Sequence, residues 1–401
     1  MSQNNSKSLV GKGYLFPFIL VTSLFFLWGF ARAILDVLNK HFQTELDISI
    51  SQSAMIQVTT YLCYFLMAIP AGMFINRYGY RKGVVLGLLL FAAGSLLFIP
   101  GNTFVAYLGA LAVIGCGLTF LETAANPYAT ELGPKETSTS RLNLSQSFNG
   151  LGSIFAPLIL GNYLFSDGGD VTLPYTIMGI MVFIVALIFS KVKLPEIVHE
   201  ENDTIQENTP KNPFKQLFSN SFFVLGLIAL LSYEVSEISI NSYFINFTTG
   251  MGWLNNIEAS NILALALAFF MIGRFLGSWI MCKIKAEMVM LVCATGSVIC
   301  MILVLLNIQP LSIVGLIGNY VFEAIMFPTI FALTLKGLGN LTKTASSILM
   351  MTPIGGCGFL LMSYIADATS LVLPFAIPLA GFILVWIFSF SALHRSMVRK
   401  S

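Results

Sequence analysis

The sequence predicts an all-α membrane protein with twelve transmembrane helices. Of its 401 residues, 56% are hydrophobic and only 10% are charged, whereas soluble domains carry about 25% charged residues. Apolar stretches near the length of about 20 residues that a helix needs to cross a bilayer follow one another along the chain. Lys and Arg gather in every second loop between these stretches. This pattern excludes an ordinary soluble domain.

The apolar stretches fall into two sets of six, numbered here as predicted spans 1 to 12. Spans 1 to 6 cover Tyr14–Asn39, Ser53–Ile75, Lys82–Ile99, Thr103–Thr130, Leu142–Phe165 and Leu173–Val192. Spans 7 to 12 cover Asn220–Phe247, Ala259–Cys282, Glu287–Leu306, Leu311–Leu335, Ala345–Ala366 and Leu371–Leu393. Residues 194–219 between the sets are rich in Glu, Asn, Thr and Pro, which predicts a cytoplasmic linker. The domains are therefore an amino-terminal six-helix bundle (1–193) and a carboxyl-terminal six-helix bundle (220–401).

The basic residues define the predicted orientation. They follow the even-numbered spans, at Arg77, Arg81, Lys82, Lys135, Arg141, Lys191, Lys193, Lys211, Lys215, Lys283, Lys285, Lys336, Lys343, Arg395, Arg399 and Lys400. The opposite loops hold Lys40 among acids such as Asp47 and Asp170. Because cytoplasmic loops carry the excess of Lys and Arg, both termini are predicted to be cytoplasmic. The polar start of the chain and its long first apolar stretch favour a retained helix over a cleaved signal.

Carboxyl groups interrupt the apolar runs of spans 1, 4 and 10, at Asp36, Glu122 and Glu323. An ionised carboxylate at the bilayer centre costs about 3 kcal/mol or more. Burial favours the neutral form, which can donate a hydrogen bond, while the ionised form only accepts one. These acids therefore favour a solute carrier driven by an ion, with Glu122 and Asp36 as proton-coupling residues. His and Cys residues are scattered without metal-binding spacing, so we expect no metal, no cofactor and no enzymatic activity.

The two sets of spans repeat each other. Glu122 is followed five residues later by Pro127, and Glu323 is followed five residues later by Pro328. Parallel repeats around an axis along the membrane normal are the plan of many secondary transporters, with the substrate site near the membrane midplane between the repeats. The repeat predicts two six-helix bundles related by pseudo-twofold symmetry.

Several segments resemble motifs of known transporters. The segment GMFINRYGYRKG (Gly72–Gly83) resembles the signature loop of the major facilitator superfamily, with Asn76 where an acid is usual. The segments that resemble the fucose:proton symporter family, which includes glucose/galactose and N-acetylglucosamine permeases, are LETAANPYATELGP (Leu121–Pro134), RLNLSQSFNGLGSIFAP (Arg141–Pro157) and FPTIFALTLKGLG (Phe327–Gly339). The resemblance extends from about Phe25 to Asp367.

This resemblance implies the major facilitator fold and symport of a hexose or amino sugar with protons, by rocker-switch alternating access in the bacterial inner membrane. Sodium coupling is the alternative, since some members use it. Asp36 and Glu122 match the functional acids of the family, and Gln146 and Asn149 match residues that line its sugar cavity. We also expect a monomer with no nucleic-acid partner. Export of drugs or metabolites is a rival function that the amides of span 5 disfavour.

Further polar side chains have the chemistry of a sugar site. Sugar hydroxyls donate and accept hydrogen bonds, and the apolar ring face packs on aromatic side chains. The candidate substrate-binding residues of spans 2, 5 and 7 are Gln57, Tyr61, Asn143, Gln146, Asn149, Glu237 and Asn241. The same side chains can instead hydrogen-bond neighbouring helices, at about 0.6 kcal/mol each, so both roles stay open. Glu237 matches a glutamate of the glucose/galactose branch, and this favours a hexose other than fucose.

Arg32 departs from the family pattern, which has a neutral polar residue there. It can pair with Asp36, which lies four residues later on the same helix face. It can also be a cross-cavity partner for Glu237, or a ligand for an anionic sugar acid. A separate group of arginines is predicted to act at the gates, namely Arg77, Arg81 and Arg274.

Overall fold

The computed structural model describes residues 10–11, 13–134, 137–192, 213–281 and 283–398, and every regular element within these ranges is helical. The predicted all-α class is therefore confirmed. As far as these ranges reach, the chain forms two compact units. The first comprises Met1–Leu46 and Leu62–His199, and the second comprises Asp47–Tyr61 and Glu200–Ser401.

The segment Asp47–Tyr61 differs from the predicted domain division, because it packs with the second unit. The Asp367 carboxylate accepts a hydrogen bond from the backbone amide of Ser51 at 2.9 Å. Gln57 Nε2 donates to Ser242 Oγ at 3.0 Å. Contacts between residues so far apart in the chain cannot be inferred from hydropathy.

The α-helices are numbered in chain order. The first eight are α1 (Leu15–Leu46), α2 (Ile50–Ser53), α3 (Met55–Tyr78), α4 (Tyr80–Leu96), α5 (Phe104–Glu131), α6 (Ser138–Phe155), α7 (Asn162–Leu164) and α8 (Thr172–Lys191). The others are α9 (Pro213–Ser219), α10 (Ser221–Gly250), α11 (Asn256–Met281), α12 (Ala286–Leu305), α13 (Gln309–Glu323), α14 (Met326–Leu335), α15 (Thr342–Leu349), α16 (Phe359–Ala368) and α17 (Ala376–Val398). A π-helical segment, Ala156–Gly161, joins α6 to α7, and 3₁₀ segments cover Gly339–Leu341, Thr352–Gly358 and Leu373–Phe375.

Helices occupy all twelve predicted spans, and ten helical stretches of the described chain are long and apolar enough to cross a membrane. Spans 3 and 5 correspond to α4 and α6, which are too short or too polar to be counted among these ten stretches. The helix α4 has only 17 residues, and α6 carries the polar run of Asn, Ser and Gln that contains the candidate substrate-binding residues of span 5.

Span 10 crosses as one apolar stretch, Gln309–Leu335, but its helix is broken after Glu323 into α13 and α14. Pro328 has no backbone N–H, so the carbonyl of Ala324 four residues earlier has no helical donor. Arg274 on α11 supplies a replacement, since its Nε donates to Ala324 O at 3.2 Å. The two half-helices therefore meet at a joint held by a side chain.

The helix of span 11 is also interrupted, by the 3₁₀ segment Thr352–Gly358. The sequence TPIGGCG combines a proline with three glycines, which are poor formers of α-helix. The glycines permit close packing, because a Cβ at Gly355 would press on α10 at Glu234, and a Cβ at Gly356 would overlap the Tyr61 ring. The interruption thus brings its backbone against neighbouring side chains of the second unit.

In the first unit, α1 and α6 pack with their backbones in close contact. A Cβ at Gly29 of α1 would overlap the backbone carbonyl of Asn149, and a Cβ at Gly152 of α6 would overlap that of Phe26. Small residues allow such approach in membrane bundles, where close van der Waals packing drives helix association. Residues of α1 and α6 are therefore held in a fixed register.

Two buried or half-buried arginines cap the carboxyl ends of helices in this unit. Arg141 is fully buried, and its Nε donates to Ala129 O at 3.0 Å near the end of α5, while its Nη1 donates to Pro134 O at 3.1 Å. Arg81 donates through Nε to Phe189 O at 3.3 Å near the end of α8. A guanidinium group satisfies several terminal carbonyls at once and suits the negative end of a helix dipole.

We predict that Gly29→Ala lowers the stability of the purified protein by about 1–3 kcal/mol, since a new methyl group would force α1 and α6 apart. Thermal unfolding in detergent measures this loss as a fall in Tm. The control is Gly72→Ala on α3, where no atom lies within 4 Å of the added Cβ. Equal Tm values for Gly29→Ala and the wild type would contradict the close packing of α1 with α6.

Candidate functional site

Glu122 lies at a small pocket between α1 and α5 in the first unit, and in this structure the pocket is too narrow to enclose a sugar. The pocket is lined by Leu24, Phe25, Trp28, Leu121, Glu122, Ala125 and Asn126. Glu122 as a whole is half-buried, at a surface that is otherwise mainly apolar and aromatic. An acid, an amide and two aromatic side chains meet here, which is the combination that sugar hydroxyls and a sugar ring face require.

Arg32 is the basic residue that interacts electrostatically with Glu122. Its guanidinium group therefore provides an ionised Glu122 with a counter-charge within the same unit. This relation was not among the three roles considered for Arg32 in the sequence. Asp36 lies one turn further along α1 and is buried, with 8% of its surface exposed.

A chain of amide hydrogen bonds links α6 to the backbone beside Glu122. Gln146 Nε2 donates to Asn126 Oδ1 at 3.3 Å, and Asn126 Nδ2 donates to the backbone carbonyl of Glu122 at 3.2 Å. The predicted residue Gln146 therefore reaches the Glu122 region through Asn126, which was not predicted. Its position four residues after Glu122 was the available signal, because residues at that spacing share a helix face.

Trp28 is the second residue that was absent from the predicted site. Its Nε1 donates to Tyr64 OH at 2.8 Å, which fixes the indole at the wall of the pocket. Trp28, Arg32 and Asp36 follow one another at intervals of four on α1. That spacing places them on one helix face and was visible in the sequence.

The other predicted residues of α6 have separate outcomes. Asn149 Nδ2 donates to the Phe25 backbone carbonyl at 3.2 Å, and its role in substrate binding stays a prediction. The side chain of Asn143 lies outside the described part of the structure. Among the predicted α6 residues, both Gln146 and Asn149 are therefore hydrogen-bonded to residues that line the pocket, namely Asn126 and Phe25.

The remaining predicted binding residues lie in the second unit. Gln57 is buried and hydrogen-bonded to Ser242, and Tyr61 is buried against Gly356. Glu237 Oε1 accepts from Asn241 Nδ2 at 3.3 Å on α10. Glu237 and Asn241 form a polar pair, and a substrate role for any of these four residues stays a prediction.

The predicted gating arginines occupy three different environments. Arg77 is exposed at the end of α3, with its guanidinium carbon 5.4 Å from the centre of the Tyr78 ring. Arg81 caps α8, and Arg274 binds the free carbonyl at the joint between α13 and α14. Gating by these residues stays a prediction, and the contacts of Arg81 and Arg274 give each of them a local structural role.

Comparisons with known proteins identify relatives along nearly the whole chain. A sequence profile of the Major Facilitator Superfamily matches residues 21–359. A glucose/galactose transporter of Brucella abortus biovar 1 (strain 9-941) is 33% identical over 383 residues, which are 92% of this chain and 92% of that protein. The L-fucose-proton symporter of Escherichia coli (strain K12) is 32% identical over 413 residues, covering 94% of this chain and 93% of that protein. The crystal structure of FucP, a major facilitator transporter in the outward conformation, matches with a TM-score of 0.69 at 30% identity, over 94% of this chain and 99% of that one.

Repeated apolar helices and a pocket that contains an acid define a multi-pass membrane transporter, and the relatives are transporters rather than enzymes. The chain belongs to the Major Facilitator Superfamily. The resemblance to fucose and glucose/galactose permeases that its motifs indicated is thereby confirmed.

We predict that Asn126 and Gln146 are energetically coupled. In a double-mutant cycle of Asn126→Ala and Gln146→Ala, the coupling energy should be about 0.6 kcal/mol, as for other hydrogen bonds between membrane helices. Unfolding of the purified variants measures it. Asn126→Ala combined with Thr103→Ala, which removes the cap at the other end of α5, should be additive. Additivity in both pairs would show that the amide chain contributes no coupling.

Proposed function

We propose that this protein is a sugar:proton symporter that carries a neutral hexose or amino sugar by rocker-switch alternating access. The observation that carries the proposal is the pocket in which Glu122 meets Trp28, Phe25 and Asn126. Curated relatives named as a glucose/galactose transporter and an L-fucose-proton symporter support the sugar class and the coupling ion. The coupling ion is a proton, and sodium is the alternative to be tested.

Coupling follows from the two chemical states of Glu122. A protonated Glu122 can donate a hydrogen bond to a sugar hydroxyl, and an ionised one can only accept. If the sugar binds the protonated state more tightly, occupancy of the pocket by sugar and by proton rise together. Such a difference in affinity is what drives a conformational equilibrium. The loaded carrier then releases both on the other side and returns empty.

Arg32 supports the return step in this scheme. Its positive charge acts on Glu122, so the empty, deprotonated carrier does not hold an isolated negative charge in an apolar surrounding. Isolated buried charges are far more costly than paired ones. Because Arg32 already has a carboxylate in reach, a neutral sugar fits this unit better than an anionic sugar acid.

We place the protein in a bacterial inner membrane as a monomer, with both termini on the cytoplasmic side. The orientation of the termini is supported by the concentration of Lys and Arg after the even-numbered spans. Asp36 is the second proton-coupling residue of the proposal. Its burial on the same face of α1 as Arg32 allows it to exchange partners with Glu122 when the proton binds.

We predict that Glu122→Gln abolishes proton-driven accumulation and retains sugar counterflow, because Gln mimics the protonated acid and cannot release a proton. Proteoliposomes with an imposed pH gradient measure accumulation of glucose, galactose, fucose and N-acetylglucosamine in parallel. The matched control is Glu131→Gln, an exposed acid at the end of the same helix, which should accumulate sugar like the wild type.

Three outcomes would contradict this proposal. Full accumulation by Glu122→Gln would remove Glu122 from the coupling step. Accumulation by the wild type that depends on a sodium gradient and ignores the pH gradient would replace the proton with sodium. Transport of glucuronate in preference to every neutral sugar would instead make Arg32 a substrate ligand.

A further inference from the structure

The second unit contains a buried acid that the proposed function does not use. Glu323 is the last residue of α13, and none of its surface is exposed. In the sequence repeat it takes the position of Glu122, since each acid precedes a proline by five residues. The two positions differ locally, because α5 continues through Pro127 while α13 ends at Glu323.

The hydrogen bonds of Glu323 are incomplete. Its Oε2 accepts from Asn319 Nδ2 at 2.6 Å, and no donor among the described residues reaches its Oε1. Asn319 is also fully buried, and its Oδ1 likewise has no donor within the described chain. A carboxylate with one hydrogen bond in such a site would carry a large desolvation penalty. A proton on Oε1 removes that charge.

The charges around Glu323 also favour its protonated, neutral form. From α10, Glu237 acts electrostatically on Glu323, and Glu234 and Tyr233 belong to the same cluster. From α11, Arg274 is the basic group, and its Nε is engaged by Ala324 O. Cys300 of α12 also interacts with Glu323, and α14 contains no ionisable residue. Neighbouring carboxyl groups resist simultaneous ionisation, so one proton is readily held among them.

We propose that Glu323 is a further proton-binding residue, which takes up and releases a proton during the transport cycle in addition to the proton that the proposed function assigns to Glu122 and Asp36. This deepens the proposed function and rests on it. The proton resides on Oε1 while Asn319 binds Oε2. It leaves when a movement at the joint after Glu323 exposes the carboxyl group to water or to Glu237, which is partly exposed on α10.

The joint gives this proton a connection to conformational change. Glu323 lies directly before the break between α13 and α14, and Arg274 holds the carbonyl that Pro328 leaves free. A change in the angle between these half-helices alters the surroundings of Glu323 at once. Protonation of Glu323 and bending of span 10 are therefore coupled, because each changes the free energy of the other.

Infrared difference spectroscopy of the whole purified protein tests the proton directly, without any sugar. At neutral pH the wild type should show the C=O stretching band of a protonated carboxyl group that disappears in Glu323→Gln and persists in Glu258→Gln. Glu258 is an exposed acid at the start of α11, where Gln can also cap the helix. A band that shows Glu323 to be an ionised carboxylate at neutral pH would overturn the proposal. So would a Glu323 band that responds to sodium and not to pH.

Proton counting in proteoliposomes tests the use of that proton in transport. Glu323→Gln should move one proton fewer with each sugar than the wild type, while sugar counterflow and the Glu258→Gln control are unchanged. An unaltered proton count would make Glu323 a permanently protonated structural residue and would contradict the proposal. If the wild type moves sugar without protons, the proposed symport fails. The infrared band and its pH titration in the wild type still decide whether Glu323 holds a proton.

Discussion

The central physical constraint on this structure is the free-energy cost of an ionised carboxyl group in surroundings that contain little water. Each unit contains such a group inside an apolar helix, and the surroundings of the two groups are different. Glu122 opens onto a pocket and has the charge of Arg32 in reach, whereas Glu323 is enclosed and bound by one amide. An acid that is satisfied in only one of its protonation states makes the protein sensitive to proton occupancy. The other features of the first unit serve to hold this acid at a defined surface.

Packing in the first unit provides that support. Gly29 and Gly152 bring α1 and α6 into backbone contact, and Arg141 ties down the end of α5. Three helices are thereby fixed around the pocket, and the hydrogen bond from Trp28 to Tyr64 fixes its aromatic wall. Groups held by their own packing and hydrogen bonds bind a ligand at a lower entropic cost than mobile ones.

Much of this architecture could be predicted from the sequence, because hydropathy and the placement of Lys and Arg report directly on membrane crossing. The acids were also visible, since each interrupts an apolar run. Trp28 and Asn126 were missed because a Trp in an apolar helix is indistinguishable from a packing residue, and an Asn before proline suggests a bend rather than a contact. The breaks in spans 10 and 11 were missed for another reason. Pro127 and Pro328 have the same spacing from an acid, yet only the helix that leads to Pro328 is interrupted after its acid, and the break is accompanied by a hydrogen bond from Arg274, which is distant in the sequence.

The short helix α14 has a consequence beyond its length. Side chains of other helices hold it at both ends, with Arg274 binding the carbonyl just before it and Lys336 just after it paired with Glu287 at 3.1 Å. Side-chain contacts of this kind can lengthen and re-form with little loss of backbone order. The ten residues of α14 are therefore tied by polar side-chain contacts at both ends, so a rearrangement of α11 or α12 would reach this short helix through those side chains.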